Sequence, residues 1–318
     1  MGEPIRLKPS SYVPEDKALG RSRRSQRLGS ESTPTLHAPS YRLICPKRAS
    51  KEFEMSEETP VLFDATRAGV GVITLNRPDV HNAFNPDVIA RLNELLEELR
   101  GQDHIRVVLL KGAGRSFSAG ADLKWMRSAG DWTHDDNEQD AGGMAEMLSR
   151  LRNLPQPTIA LVHGPAIAGG MGLVAASDIV VATKKAVFGL SEVHLGLTPA
   201  TISPYIIEAV GPRMARALFV TGERFDASYG EKMGLVHYTV EDQDELADME
   251  EHLVQLIFKG APGAIHAAKQ LVEDVKFREI DKHMRAMTSK RIADRRSSDE
   301  GKEGLDAFLG KRKPSWQE

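Results

Sequence analysis

The chain is predicted to fold as a mixed α/β domain that ends in a helical C-terminal region. Three observations carry this. Between residues 60 and 200, short apolar or β-branched runs alternate with segments of helical period. Beyond residue 200 nearly every segment reads as helix. Two of the strands run into clusters of small residues, AGAD at 119–122 and GPAIAGGMG at 164–172, just before a helical pattern starts. Alternation followed by helices is the pattern of a strand layer backed by helices, with further helices appended.

The composition sets outer bounds. The 318 residues are 41% hydrophobic and 27% charged with a formal net charge of −3, which suits one large core plus an extension. Near-neutrality gives no electrostatic case for nucleic acid or an anionic membrane as the main partner. The single cysteine, Cys45, excludes an internal disulfide framework and disfavours a metal site. No apolar run reaches the ~18 residues that span a bilayer. A soluble intracellular protein is expected: cytoplasmic in a bacterium, or in the mitochondrial matrix if the N-terminal extension acts as a transit peptide.

Residues 1–54 are rich in Arg, Ser and Pro, hold no period of 2 or 3.6, and are expected to be a disordered extension. Arg and Ser enrichment also fits a transit sequence, against which stand Glu3, Glu15 and Asp16. A signal-peptide core is missing, and Arg6 stands where a myristoylation site needs Ser or Thr. A third reading weighs more. Lys51-Glu52 can be encoded AAG-GAG, which resembles a bacterial ribosome-binding sequence two codons ahead of Met55. Met55 is therefore expected to be the true start, and residues 55–318 the domain.

From Pro60 the elements follow in order. Residues 61–66 and 70–76 read as paired strands around the Arg67-Ala68-Gly69 turn. Asn85 reads as the N-cap of a helix running to about Arg100, with Pro86 in its first turn. Its apolar stripe is Val88, Ile89, Leu92, Leu95, Leu96 and Leu99. Residues 106–111 form a strand that feeds the AGAD turn. Residues 130–143 are acidic and polar and are expected to be a mobile loop beside it. A helix at 144–154 precedes strands at 158–162 and 178–183. Short helices are expected at 202–210, 213–221 and 227–233, one strand at 235–240, and longer helices at 245–258, 262–275 and 278–295.

The chemistry concentrates in the two small-residue turns. A strand, a glycine turn and a helix start leave the first helical N–H groups free to bind negative charge. Two such turns can converge two N–H groups on one oxygen. Some twenty residues after the second turn, Glu192 stands in the apolar context FGLSEVHLGL. A backbone anion site with a carboxylate nearby suits acid–base chemistry on a polarised carbonyl. Taken singly, Gly-Gly after a strand is an ordinary turn and Glu192 a solvated loop residue. The second turn tips the reading.

With both turns in hand, the chain resembles the enoyl-CoA hydratase/isomerase (crotonase) superfamily across residues 60–316. The motifs are LNRPDVHNAF, RSFSAGADLKWM, VHGPAIAGGMGL, FGLSEVHLGLTP, TGERFDASYGEKMGLV and EGLDAFLGKRKPSW, in that order. The resemblance implies a crotonase-like spiral of ββα units with a C-terminal helical trimerisation region, assembling as a homotrimer or hexamer. It implies an acyl-CoA thioester substrate, CoA being part of the substrate, with no separate cofactor and no metal. Its carbonyl oxygen would sit between the N–H groups of Ala121 and Gly169. His81, Ala83, Ala119, Asp122 and Leu123 fall in CoA-lining segments, and Lys124 at the nucleotide end. Phe308 and Lys311 match positions that reach the CoA of a neighbouring subunit. Lys124 and Lys311 also read as ordinary solvated lysines.

One departure matters. Hydratases of this superfamily commonly carry two glutamates, and the first would align with Gly172; only the second, Glu192, is present. The wording FSAGADLKWM and SEVHLGLTPATISPYIIEAVG is similar to bacterial methylglutaconyl-CoA and isohexenylglutaconyl-CoA hydratases. That favours a hydratase of a branched or carboxylated 2-enoyl-CoA such as 3-methylglutaconyl-CoA, in leucine breakdown. The rivals are a double-bond isomerase, which needs only one carboxylate, and a catalytically inactive CoA-ester-binding relative. Nucleic-acid binding is disfavoured, since the helix ARLNELLEELR carries Glu94, Glu97 and Glu98 where basic residues would be needed.

Overall fold

The apolar runs of the N-terminal half build a sheet buried on both faces. The structure, a computed structural model, describes residues 59–65 and 67–317. The expectations for residues 1–54 and for a start at Met55 lie outside the described residues. In chain order the elements are β1 (Val61–Asp64), β2 (Val70–Leu75), α1 (Pro86–Arg100), β3 (Val107–Gly112), α2 (Leu123–Ala129), α3 (His134–Arg152), β4 (Thr158–Val162), β5 (Ala166–Ile167), α4 (Gly169–Ala176), β6 (Ile179–Thr183) and β7 (Val187–Gly189). There follow α5 (Ser203–Thr221), β8 (Arg224–Asp226), α6 (Ala227–Lys232), β9 (Tyr238–Val240), α7 (Gln243–Lys259), α8 (Pro262–Val275), α9 (Lys282–Ser297) and α10 (Asp299–Leu309).

The main sheet has the order β1-β2-β3-β4-β6-β9, with β1 antiparallel to β2 and every other pair parallel. Side chains alternate between two cores. Val108 and Leu110 of β3, with Ala160 and Val162 of β4, join the core that α1, α3 and α4 cover. Val107, Leu109, Ile159 and Leu161 point the other way, against Leu246, Leu253 and Val254 of α7. Both sets are apolar because parallel strands joined by helical crossovers are covered on both faces. A second sheet, β5-β7-β8, stands apart and carries the functional region.

Helix α1 forms as its pattern requires. The Asn85 side chain accepts from Val88 N at 3.0 Å, Pro86 opens the first turn, and the six stripe residues are all buried. The expectation of a mobile loop over residues 130–143 is overturned. α3 starts at His134, where Thr133 and Asp136 form a reciprocal capping box. The first turns of α3 are exposed, so they carry no apolar stripe and their helical period is invisible to pattern reading. The helix expected at 278–295 begins later, at Lys282 with Asp281 as its N-cap, because Phe277 takes a left-handed backbone (φ 57°). Strands β5, β7 and β8 fall outside the expected strands; at two or three residues each they are too short to show a period. Among the described residues no helix is long and apolar enough to cross a membrane.

A charged cluster ties the C-terminal helices to the sheet. Lys269 of α8 donates to Asp178 at 2.6 Å and to the Gln156 carbonyl at 3.2 Å. Asp178 also accepts from Thr158 N and Oγ1 at 2.8 and 2.9 Å, which joins the entrances of β4 and β6. Burial pulls the Lys269 ammonium below its ordinary value, opposed by the Asp178 charge. Removing one partner of such a pair strands the other charge. Asp178→Ala is therefore expected to lower stability by about 3 kcal/mol, and Asp178→Ala/Lys269→Met by clearly less than that. Urea denaturation of the two variants beside the unaltered protein checks it.

Candidate active site

The two small-residue turns meet. Phe84 forms an isolated parallel bridge with Ala121: Phe84 N donates to Gly120 O and Asp122 N to Phe84 O, both at 2.7 Å. In that pairing the flanking peptides are satisfied and the Ala121 N–H points away, with no acceptor among the described residues. The second turn leaves β5 and enters α4 through Ala168, whose backbone stands at φ 48°, ψ −119°. A non-glycine residue held there costs about 1–3 kcal/mol and persists only where its surroundings enforce it. Here Ala168 N donates to Gly189 O at 2.8 Å, and Ala168 O accepts from Gly172 N at 3.1 Å. Gly169 is the first residue of α4, so its N–H has no helical acceptor. A Cβ placed on Gly120 (φ 84°) would lie 2.9 Å from Ile167 O and 3.3 Å from Gly169 N. The turns holding Ala121 and Gly169 thus abut, with Gly120, the residue before Ala121, packed against the Gly169 N–H.

Glu192 follows from the same framework. It opens a single 3-10 turn, Glu192–Leu195, three residues after Gly189, the β7 residue that holds Ala168. Three residues of chain reach at most about 10 Å, so Glu192 cannot leave this neighbourhood. Its Oε2 is buried without a hydrogen-bond partner. Burial pushes its carboxyl above the ordinary carboxylate range, opposed only by its own backbone N–H.

The position of the missing carboxylate is filled. A Cβ on Gly172 would stand 2.4 Å from Ile202 Cγ2 and 3.1 Å from Ile202 Cβ. Ile202 is 1% exposed. The absence of a side chain at 172 is therefore built into the packing: an isoleucine from the start of α5 occupies the space.

The other candidates separate into two groups. His81 and Ala83 lie on the loop that bridges to the AGAD turn: Ala119 N donates to His81 O at 2.9 Å, and His81 Nδ1 meets Ser116 Oγ at 3.0 Å. Ala119 is exposed, and Leu123 and Lys124 are exposed on the first turn of α2. Asp122 is engaged structurally. Its carboxylate caps α2 through Lys124 N at 2.9 Å and pairs with Arg77 at 3.0 Å. Burial raises its pKa, but these bonds outweigh it and hold the group below the usual range. Phe308 and Lys311 stand apart. Phe308 is 81% exposed at the end of α10, and no backbone hydrogen bond among the described residues joins either to the two turns. Pattern reading missed Arg77, Asn82 and Ser118, which hold the AGAD turn, although all three lie within the quoted motifs. It also missed Ile202, for which only a fold-level view of α5 gives a signal. A cavity of about 980 Å³ lined by Arg100, Arg106, Gln156, His266 and Glu300 contains none of the candidates.

Comparison with known proteins identifies the family. The family model for enoyl-CoA hydratase/isomerase matches residues 65–318. The short-chain-enoyl-CoA hydratase of Clostridium acetobutylicum is 32% identical over 246 residues, covering 77% of this chain and 92% of the relative. The crystal structure of an enoyl-CoA hydratase from Shewanella pealeana is 38% identical with a TM-score of 0.78, over 82% of this chain and 97% of the other. An enoyl-CoA hydratase/isomerase structure from Marinobacter aquaeolei is 32% identical with a TM-score of 0.78, over 81% and 99%.

Two stability measurements test the site's packing. Gly172→Ala drives a methyl into Ile202 and is expected to cost about 1–3 kcal/mol, set against ~1 kcal/mol of helix propensity gained. In a double-mutant cycle with Ile202→Ala the two changes should relieve each other by about 1 kcal/mol or more. Additive effects in urea denaturation would show that the clash is not felt. For Glu192 the raised folded pKa means the folded chain holds that proton more tightly than the unfolded chain. Its contribution to stability is present below the ordinary carboxylate range and lost as pH rises through the folded value. Glu192→Gln removes this dependence, so the melting temperature of the variant should gain on the unaltered protein as pH rises. A variant that melts lower at every pH would mean that Glu192 braces the turn before Gly196.

Proposed function

Because the chain belongs to the enoyl-CoA hydratase/isomerase family, we propose that it hydrates a branched or carboxylated 2-enoyl-CoA, with 3-methylglutaconyl-CoA as the representative substrate. The observation that supports this reading is the contact between two turns that each carry an unpaired backbone N–H group, with a half-buried carboxylate that has an unpartnered oxygen three residues along the chain from Gly189. The thioester oxygen would accept from Ala121 and Gly169. As water adds to the β-carbon its proton passes to Glu192, and the electron pair of the double bond moves through the α-carbon onto that oxygen. The enolate then collapses as Glu192 returns the proton to the α-carbon, so water is added without net change in the enzyme. Fixed donors aimed at the developing charge are worth ~10²–10³ in rate for each donor. A carboxylate whose pKa is raised by burial is suited both to take a proton and to return it. The chemistry needs no further cofactor, since CoA belongs to the substrate.

His81, Ala83, Ala119, Leu123 and Lys124 would border the CoA, with Asp122 fixing the turn from which they project. Phe308 and Lys311 would contribute from a second copy of the chain in a trimer or hexamer; the 81% exposure of Phe308 fits a residue that meets a partner. Double-bond isomerisation is a second reading, favoured by Ile202 filling the place of a second acid at Gly172. Moving a double bond needs one carboxylate and no activated water.

Incubation with 3-methylglutaconyl-CoA and, separately, with a 3-enoyl-CoA distinguishes the two by product. Hydration of the first supports the proposal, and turnover of the second alone overturns it in favour of the isomerase. Glu192→Gln is expected to lower kcat by roughly 10²-fold or more. KM should change little, because the two backbone donors remain. Full activity in that variant would dismiss Glu192 as the proton carrier.

A further inference from the structure

We propose that Ser118 is the positioning residue that sets the spacing of the Ala121 and Gly169 N–H groups. Ser118 is fully buried, at 0% exposure, and touches all three segments of the site. Its Oγ donates to the Asn82 carbonyl at 2.9 Å and accepts from Gly120 N at 3.2 Å. Gly120 N is one peptide before the free Ala121 N–H, so the hydroxyl fixes the plane that precedes the first donor. The backbone of Ser118 does the same for the second turn. Its N–H donates to Pro165 O at 3.0 Å and its carbonyl accepts from Ile167 N at 2.9 Å, in the isolated bridge between Ser118 and Ala166. A Cβ on Gly170 would lie 2.6 Å from Ser118 O and 3.1 Å from its Oγ, so the first turn of α4 rests directly on this residue. One side chain and its own peptide groups thus connect the chain on both sides of the pair of donors.

The hydroxyl is also the weakest point of that frame, and this makes the role testable. Asn82 is itself held tightly. Its Nδ2 donates to Ala113 O and Ser116 O at 2.9 and 2.8 Å, its Oδ1 accepts from Arg77 N at 2.9 Å, and its backbone stands at φ 55°. On the far side, Asp122 is anchored by Arg77 and by Phe84. Between these anchors, the Gly120–Ala121 peptide is held by Phe84 N at the Gly120 carbonyl, and the Ala119–Gly120 peptide before it by Ser118 Oγ at the Gly120 N–H. Removing the hydroxyl frees the Ala119–Gly120 peptide, and with it the orientation of the next one, while leaving the anchors, the core and Glu192 in place. A shift of a fraction of an ångström in a donor is enough to weaken an oxyanion site, since about 1 Å of misplacement costs ~10²-fold.

The inference rests on the reading of Ala121 and Gly169 as the carbonyl donors, and the test separates the two. A chromophoric aryl-enoyl-CoA, such as cinnamoyl-CoA, reports carbonyl polarisation as a red shift of its absorption when bound. The unaltered protein is expected to show that shift. Ser118→Ala is expected to bind the thioester within about threefold of the unaltered protein, to lose most of the shift, and to lose roughly tenfold in kcat with KM little moved. Ser118→Cys keeps a weaker donor and acceptor at longer reach, and should fall between the two in shift and kcat. A residue that only supports the fold would lower the melting temperature while leaving the shift and kcat per folded molecule intact in both variants; that result overturns the proposal for Ser118 alone. Absence of a shift in the unaltered protein would overturn the donor reading and the Ser118 proposal with it.

Discussion

The site depends on one constraint: two backbone N–H groups must be left without partners inside a folded chain and yet be held still. An unsatisfied amide is costly when buried, so folded chains normally pair it. Here the pairing geometry itself spares it. In the parallel bridge, Phe84 takes its hydrogen bonds from residues on both sides of Ala121 and leaves the middle N–H facing out. The start of α4 spares the other, because the first residue of any helix lacks an intrahelical acceptor. Neither donor depends on a side chain of its own, which is why Ala and Gly suffice there. Small residues are required for access, and rigidity comes from their neighbours.

Those neighbours are strained. Among the described residues five non-glycine positions have positive φ, and three of them, His81, Asn82 and Ala168, belong to the loops that frame the donors. Each such residue costs about 1–3 kcal/mol. The two-sided sheet offsets this: strands β3, β4 and β6 bury apolar side chains on both faces, and Asn82 bonds to Ala113 and Ser116 just past the end of β3, while Ala168 is held by Gly189 of β7. Met144 links the two levels. A Cβ on Gly169 would meet Met144 Cε at 2.6 Å and Phe84 Cε2 at 2.9 Å, so the core side of α3 presses on the donor turn from behind. The polar N-terminal turns of α3, which look like a loop in sequence, are the exposed end of that same rod.

The fold was legible wherever periodicity and burial coincide. Helix α1 showed its cap, its proline and its six buried residues, since all of them serve one core-facing stripe. The parallel strands were legible as apolar runs because both faces are covered. Legibility failed where an element is held by context instead of by its own pattern. The first turns of α3 are stabilised by the Thr133–Asp136 box and not by burial. Strands β5 and β8 exist only as partners of β7. For the site, the two small-residue turns and Glu192 were visible as motifs. What a linear reading cannot show is which turn touches which: Ser118 lies beside Asn82, Gly120 and Gly170, separated from the first and last of these by 36 and 52 residues. Ile202 over Gly172 is a further case of contact that spacing does not reveal.

The Gly172–Ile202 contact has a consequence for the chemistry. An apolar methyl in place of a second acid removes a charge and a water-ordering group from one side of the site. It also removes a like charge that would compete with Glu192 for a proton. The raised pKa of Glu192 therefore arises from burial and not from a neighbouring carboxylate. A group shifted by a neighbouring charge responds to salt and to that neighbour's own titration; a group shifted by burial responds to whether the site is open or filled. In the proposed reaction an acyl chain closing over Glu192 would exclude more water and strengthen the shift, so that substrate binding and proton affinity would rise together. With a single carboxylate in the proposed hydration, that coupling would make the acyl group itself part of the acid–base apparatus: the more water it excludes, the more firmly Glu192 would hold the proton it must return to carbon.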